Sequence, residues 1–238
     1  MVLRKPKLDV IMGFSGISAA DKHGRSDGDF DELYYQRYYG SRTSDWYAWL
    51  LSEIIQFGKP GSILDVGCGL GLLVELANQW GLRAKGIDSS EAAVRLALER
   101  TPCLDLQHGD LRRPLPFADQ SFDNIIMHQV IPSFTSNILI SALEQCHRVL
   151  SRAGILFIYS ASKRNLSAYK RDPSQRYRLH PSELRALLEG VGFSVLQEPN
   201  SSRFLARNRA LGTLAGQLMR TGLKDWASAT ANAYARRP

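Results

Sequence analysis

Cysteine is scarce in this sequence: Cys68, Cys103 and Cys146 are odd in number, far apart, and form no C-x-x-C pair. Such spacing supports neither a zinc site nor a disulfide framework, so reduced thiols in a cytoplasm are the expectation. Long apolar runs are missing too, and nothing approaches the length of a membrane-spanning helix. Nor is there an internal repeat or a low-complexity tract, which sets aside solenoids and fibrous folds. Near the N-terminus, Arg4, Lys5 and Lys7 precede Val10-Ile11-Met12 and small residues ending Ser18-Ala19-Ala20, a loose imitation of a signal peptide. Gly13, Ser15 and Gly16 interrupt its apolar part, so it reads as a mobile leader rather than an export signal.

What is present is ordinary for a globular protein. The 238 residues, 44% hydrophobic and 22% charged, suit one large α/β domain with additions. The net charge is +7. Much of the excess falls in the last third: Lys163, Arg164, Lys170, Arg171, Arg176 and Arg178, then Arg203, Arg207, Arg209, Arg220, Lys224, Arg236 and Arg237. A basic excess suits nucleic acid, anionic lipid or a phosphorylated substrate, and equally an ordinary solvated surface.

Residues 1–30 lack periodicity and read as a loose arm, followed by an aromatic cluster from Tyr34 to Trp49. From Asp45, a candidate N-cap, Trp46, Trp49, Leu50, Ile54 and Phe57 recur at helical spacing until Gly58 and Pro60. Strand and helix signals then alternate. Strands are expected at Ile63–Val66, Ala84–Ile87, Leu104–Gln107, Phe122–Met127 and Ile155–Tyr159, with Phe193–Leu196 and Arg203–Arg207 as a closing pair. Ser89 or Ser90 caps one helix and Pro181 opens another. The alternation implies a doubly wound, mostly parallel seven-stranded α/β sheet of Rossmann-like type, with helices on both faces. The expected division is an arm and aromatic segment at 1–44, the sheet domain at 45–207 and a helical extension at 208–238.

Ligands in such sheets bind beyond the carboxyl ends of the strands. There, Asp65-Val66-Gly67-Cys68-Gly69-Leu70-Gly71 joins the first strand to its helix with G-x-G-x-G spacing. A dinucleotide fingerprint needs a third glycine where Leu72 stands, which argues against NAD and FAD. Asp88 follows Gly69 by 19 positions and ends the next strand, where a carboxylate accepts hydrogen bonds from the ribose hydroxyls of an adenosine ligand.

These segments, with Gly86-Ile87-Asp88, Gly109-Asp110-Leu111 and Leu115-Pro116-Phe117 through Ser121-Phe122-Asp123, resemble class I methyltransferases that use S-adenosylmethionine (AdoMet). The likeness is greatest to the small-molecule branch that includes ubiquinone- and menaquinone-biosynthesis enzymes. Arg148 to Gly154 looks like that branch's L-x-P-G-G turn, with Arg152 and Ala153 replacing its Pro and first Gly. The resemblance covers about residues 45–207. It implies AdoMet as cofactor, its demethylated product S-adenosylhomocysteine (AdoHcy), and backbone contacts from Gly67, Cys68, Gly69 and Gly71. It further implies that Asp65 orients the loop, Asp88 and Ser89 hold the ribose end, and Asp110 and Leu111 meet the adenine. Met127 and His128 would face the sulfonium and the acceptor.

Methyl transfer from a sulfonium needs mainly positioning, and a base only if the acceptor must lose a proton. His128 is the candidate base, its imidazole titrating near neutrality; the alternative is a polar residue bonded at a strand end. His108, His147 and His180 have weaker claims, His180 as a cap. Tyr34/Tyr38 and Tyr35/Tyr39 are i,i+4 pairs, which places Tyr34 and Tyr38 as acceptor-binding lid residues or as packing. Asp123 to His128 lacks the N/D-P-P-Y/F pattern of base-amino methylases, and Pro102-Cys103 precedes the third strand, so Cys103 is a bystander. Three readings follow: a small-molecule O-, N- or C-methyltransferase, an RNA methyltransferase using the basic C-terminal third, and a catalytically silent binding protein of the same fold.

Overall fold

The computed structural model describes residues 34–35, 44–162, 178–197 and 233–238. Seven strands form one sheet: β1 (Ile63–Val66), β2 (Ala84–Asp88), β3 (Leu106–His108), β4 (Phe122–His128), β5 (Leu150–Tyr159), β6 (Ser194–Gln197) and β7 (Ala233–Arg236). Their order is β3-β2-β1-β4-β5-β7-β6. Strands β1 to β5 run parallel, whereas β7 is antiparallel to both β5 and β6. Strand order reverses between β1 and β4, which opens a crevice at their carboxyl ends.

Burial on both faces explains the short apolar strands. In β5, Leu156 and Ile158 join one cluster while Ile155, Phe157 and Tyr159 join the other, as the two-residue period of a strand requires. The first cluster is covered by α4 (Ser136–Val149) and α5 (Pro181–Val191). The second is covered by α1 (Ser44–Phe57), α2 (Leu72–Gln79) and α3 (Glu91–Arg100). Caps fall where the residue types allow. The Ser90 hydroxyl accepts from the Ala93 amide, and His180 with Glu183 forms a capping box ahead of Pro181.

The amino edge of the sheet is stitched by polar side chains. Asp123 accepts from Lys59 Nζ at 2.8 Å, the Ser62 amide at 3.1 Å and Ser151 Oγ at 3.0 Å. The Arg148 guanidinium donates to the carbonyls of Leu115 and Phe117, to Asp119 and to Gln145. On the second face, the Tyr234 hydroxyl donates to buried Glu53 and lies 2.7 Å from the Tyr159 hydroxyl.

Two expectations change. Residues 208–238 do not all lie beyond the sheet, because Ala233–Arg236 forms strand β7 between β5 and β6. Strand β3 lies two residues later than its apolar start at Leu104 suggests, since only Leu106 to His108 pair with β2. The expected strand Arg203–Arg207, the basic residues between 163 and 176 or 203 and 224, and Tyr38 and Tyr39 lie outside the described residues. Among the described residues, no helix is long and apolar enough to cross a membrane.

Candidate functional site

The loop after β1 turns by left-handed backbone. Gly67 and Gly71 sit at φ +75° and +69°, and a Cβ on Gly67 would run into the Val130 side chain. Gly71 is the N-cap of α2, and a Cβ there would meet Leu106 at 2.8 Å. The amides of Gly67 and Cys68 bond the Ile87 carbonyl, fixing the loop against β2. Asp88, at the end of β2, completes the join. One carboxylate oxygen accepts from the Gly69 amide at 2.7 Å and the other from the Ser90 amide at 2.8 Å.

Asp88 is buried at 8% exposure. Desolvation pushes its carboxyl above the usual aspartate range, opposed by the Ser90 and Gly69 amides, the nearby His108 and the Tyr35 hydroxyl. A carboxylate kept in such a place at the mouth of a cleft marks a functional candidate.

A cavity of about 70 Å³ lies over these strand ends. It gathers Tyr34, Gly67, Asp88, Ser89, Asp110, Leu111 and His128 from the sequence-derived set. Asp110 is held by Arg112, whose backbone amide and Nε reach its two oxygens at 2.8 and 2.6 Å. The His128 ring meets Tyr47 edge-on with centroids 6.4 Å apart.

Other residues of that set do not reach the cavity by their side chains. Met127 is fully buried and packs on Cys146, whose thiol lies 3.9 Å from its sulfur. Met127 and His128 are consecutive in a strand, so they point to opposite faces and only His128 can face the cleft. Asp65 and Cys68 are buried, the Cys68 side chain beneath Gly86. Burial, then Asp88 and Asp65, push the Cys68 thiol up, which keeps it protonated and unreactive. Gly69 acts through its amide on Asp88 and Gly71 through its turn. Among the other histidines, His108 bonds the Ser89 carbonyl at 3.1 Å, His147 packs on Phe193, and His180 is the expected cap.

Sequence reasoning passed over Gln129 and Val130, which line the cavity, and named Tyr35 only as a member of the aromatic stripes, although it lines the cavity too. Tyr35 is 4% exposed and its hydroxyl bonds Asp88. Gln129 has φ +59° directly after β4, a backbone state rare for a residue with a Cβ. Its position beyond a strand's carboxyl end was the available signal.

Residues 64–158 match the family described as Methyltransferase domain. The chain is 31% identical over 136 residues to a probable S-adenosylmethionine-dependent methyltransferase of Mycolicibacterium smegmatis, covering 56% of this chain and 52% of that one. It is 41% identical over 69 residues to the mouse 18S rRNA (guanine-N(7))-methyltransferase, covering 29% of this chain and 25% of that one. It is also 34% identical over 120 residues to the rat mitochondrial ubiquinone biosynthesis O-methyltransferase, covering 46% and 34%. The chain thus spans about half the length of the first of these relatives and less of the others. The crystal structure of an S-adenosylmethionine-dependent methyltransferase from Archaeoglobus fulgidus shares the fold over 86% of this chain and 98% of its own, with a TM-score of 0.63 at 18% identity.

Proposed function

We propose that this protein binds AdoMet over the carboxyl ends of β1, β2 and β3 and methylates a small-molecule acceptor, a reading supported by the match of residues 64–158 to a methyltransferase domain and by the likeness to an AdoMet-dependent relative. The observation that carries the reading is Asp88: a buried carboxylate, facing the cavity, tied to the glycine loop of that domain.

The residues present fit the cofactor. Asp88 offers acceptor positions for ribose hydroxyls, and Asp110 an acceptor for an adenine amino group. Ile87 and Leu111 give an apolar wall, and Gly67 leaves room where a side chain would stand. When bound, AdoMet would supply an activated methyl group on its sulfonium. The chain's own part is to hold the two reactants in line and to keep water out. His128 faces the cleft from the end of β4 and is the group placed to take a proton from the acceptor. Tyr34 and Phe134 add an aromatic wall suited to a small acceptor, in keeping with the quinone-pathway relative.

A second reading, an RNA acceptor, draws on charge. In residues 163–177, Lys163, Arg164, Lys170, Arg171 and Arg176 against Asp172 give +4. In residues 198–232, Arg203, Arg207, Arg209, Arg220 and Lys224 against Glu198 and Asp225 give +3. Both stretches join the sheet at its carboxyl edge, after β5 and between β6 and β7.

Calorimetric titration with AdoMet and AdoHcy tests the cofactor. Saturable one-site binding is expected, and a folded sample that binds neither would overturn the reading. Transfer of labelled methyl to a small-molecule pool rather than to RNA tests the acceptor. RNA binding that weakens steeply with salt would favour the second reading.

A further inference from the structure

The backbone around Asp110 is fixed on both sides. Gly109, just before it, donates its amide to the Asp88 carbonyl at 2.8 Å, at a place where a Cβ would run into Ile87. Leu111, just after it, is buried in the first core cluster. The Asp110 carbonyl accepts from the Arg113 amide at 2.9 Å, which closes a turn. What this leaves unfixed is the carboxylate, which could still rotate about its side-chain torsions. Arg112 takes that freedom away. Its backbone amide reaches one carboxylate oxygen at 2.8 Å, and its Nε reaches the other at 2.6 Å. A carboxylate has about four lone-pair positions, so an acceptor position remains on each oxygen. The residue that carries them lines the cavity.

Resting on the cofactor reading above, we propose that Arg112 is a positioning residue that makes Asp110 selective for the exocyclic amino group of the adenine. Held at both oxygens, the carboxylate meets an amino donor with little ordering left to do. Nor can it swing away from a purine that carries an oxo group instead, whose oxygen would confront a second acceptor. A site built around one hydrogen bond rejects such a mismatch strongly. Folding stability does not account for the pair. The Arg112 and Asp110 side chains are 42% and 22% exposed, and an ion pair in that setting contributes little. The backbone amide of residue 112 survives any substitution other than proline, so the guanidinium's part can be removed by itself.

The test is Arg112→Ala, titrated calorimetrically with AdoHcy and with S-inosylhomocysteine, in which an oxo oxygen replaces the adenine amino group. The wild type is expected to prefer AdoHcy by about tenfold or more, the scale of one hydrogen bond to a charged group. Arg112→Ala should shrink that ratio by about threefold, the scale of ordering one side chain, with the melting temperature unchanged. Arg95→Ala removes another exposed arginine, paired with Glu99 on α3 at 2.8 Å, and should leave the ratio as in the wild type. If the wild type discriminates and Arg112→Ala keeps the full ratio, or Arg95→Ala reduces it equally, the positioning role is overturned while the cofactor reading stands. Equal binding of both ligands by the wild type overturns the role as well, because Asp110 then does not read the purine. If the folded wild type binds neither, the cofactor reading falls and the positioning role with it.

Discussion

The two edges of the sheet are built from the same strands and use their polar groups in opposite ways. At the amino edge, Asp123 is satisfied by Lys59, the Ser62 amide and Ser151, and Arg148 clamps the 115–119 loop through two carbonyls. Each group there meets a partner from a distant part of the chain, so the bonds close the structure. At the carboxyl edge, Asp88 accepts from the Gly69 and Ser90 amides, Asp110 accepts from Arg112, and both residues line a cavity. Backbone there is left-handed at Gly67, Gly71 and Gln129. Burial pushes the Asp88 carboxyl up, whereas Asp123 is held below its ordinary value: burial acts upward, but Lys59, Ser62 and Ser151 prevail. One edge supplies cohesion; the other, on the proposed reading, accepts a cost in stability to keep polar groups free for a ligand.

The contrast can be broken most forcefully from the amino edge. Arg148→Ala removes donors to Leu115, Phe117, Asp119 and Gln145 and should lower unfolding free energy by about 3 kcal/mol in urea titration. AdoHcy affinity of the folded fraction should stay unchanged. Asp88→Ala gives the converse. It should weaken AdoHcy binding by about 1.5–3 kcal/mol in calorimetry without lowering the melting temperature. Asp123→Ala should cost about 1 kcal/mol of stability with binding intact.

Acid sharpens the comparison further. With its folded pKa depressed, Asp123 contributes stability above its unfolded pKa of about 3.9 and loses it as pH falls through the folded value. Asp88, with its folded pKa raised, favours folding only below that unfolded value, and the benefit is lost as pH rises through the folded one. On the proposed reading, in which the Asp88 carboxylate holds the cofactor, AdoHcy affinity should fall in mild acid before stability does. Loss of affinity and stability at one common pH would remove the distinction.

The parts of the fold legible in the sequence were those fixed locally. Ile63–Val66 and Ala84–Asp88 stand at the expected positions because apolar runs bounded by glycine and a 19-residue spacing specify strand, turn and strand. Met127 was named from its position at the end of the fourth strand, but its side chain points into the core against Cys146, which a strand-end position alone does not reveal. Tyr35 was legible only as one of an i,i+4 pair with Tyr39, because which ring of an aromatic cluster meets the cavity is set by tertiary packing. Strand β7 was illegible for another reason. Ala233-Tyr234-Ala235-Arg236 carries no turn signal, and its pairing of Arg236 with Ile155 spans a long stretch of chain.

That late strand governs the order in which the molecule can be made. Among the described residues, β6 pairs only with β7, and β7 pairs with the edge of β5 away from β4. During synthesis, the ribosome reaches Ala233 only 36 residues after Gln197, the difference of their positions. At about 5–20 residues per second, that is a wait of roughly 2–7 seconds. Throughout it, Ile155 to Ile158 present an unpaired row of amides and carbonyls, a template for pairing with another nascent chain. Chaperone demand should therefore peak in that interval, and vanish once Tyr234 reaches Glu53.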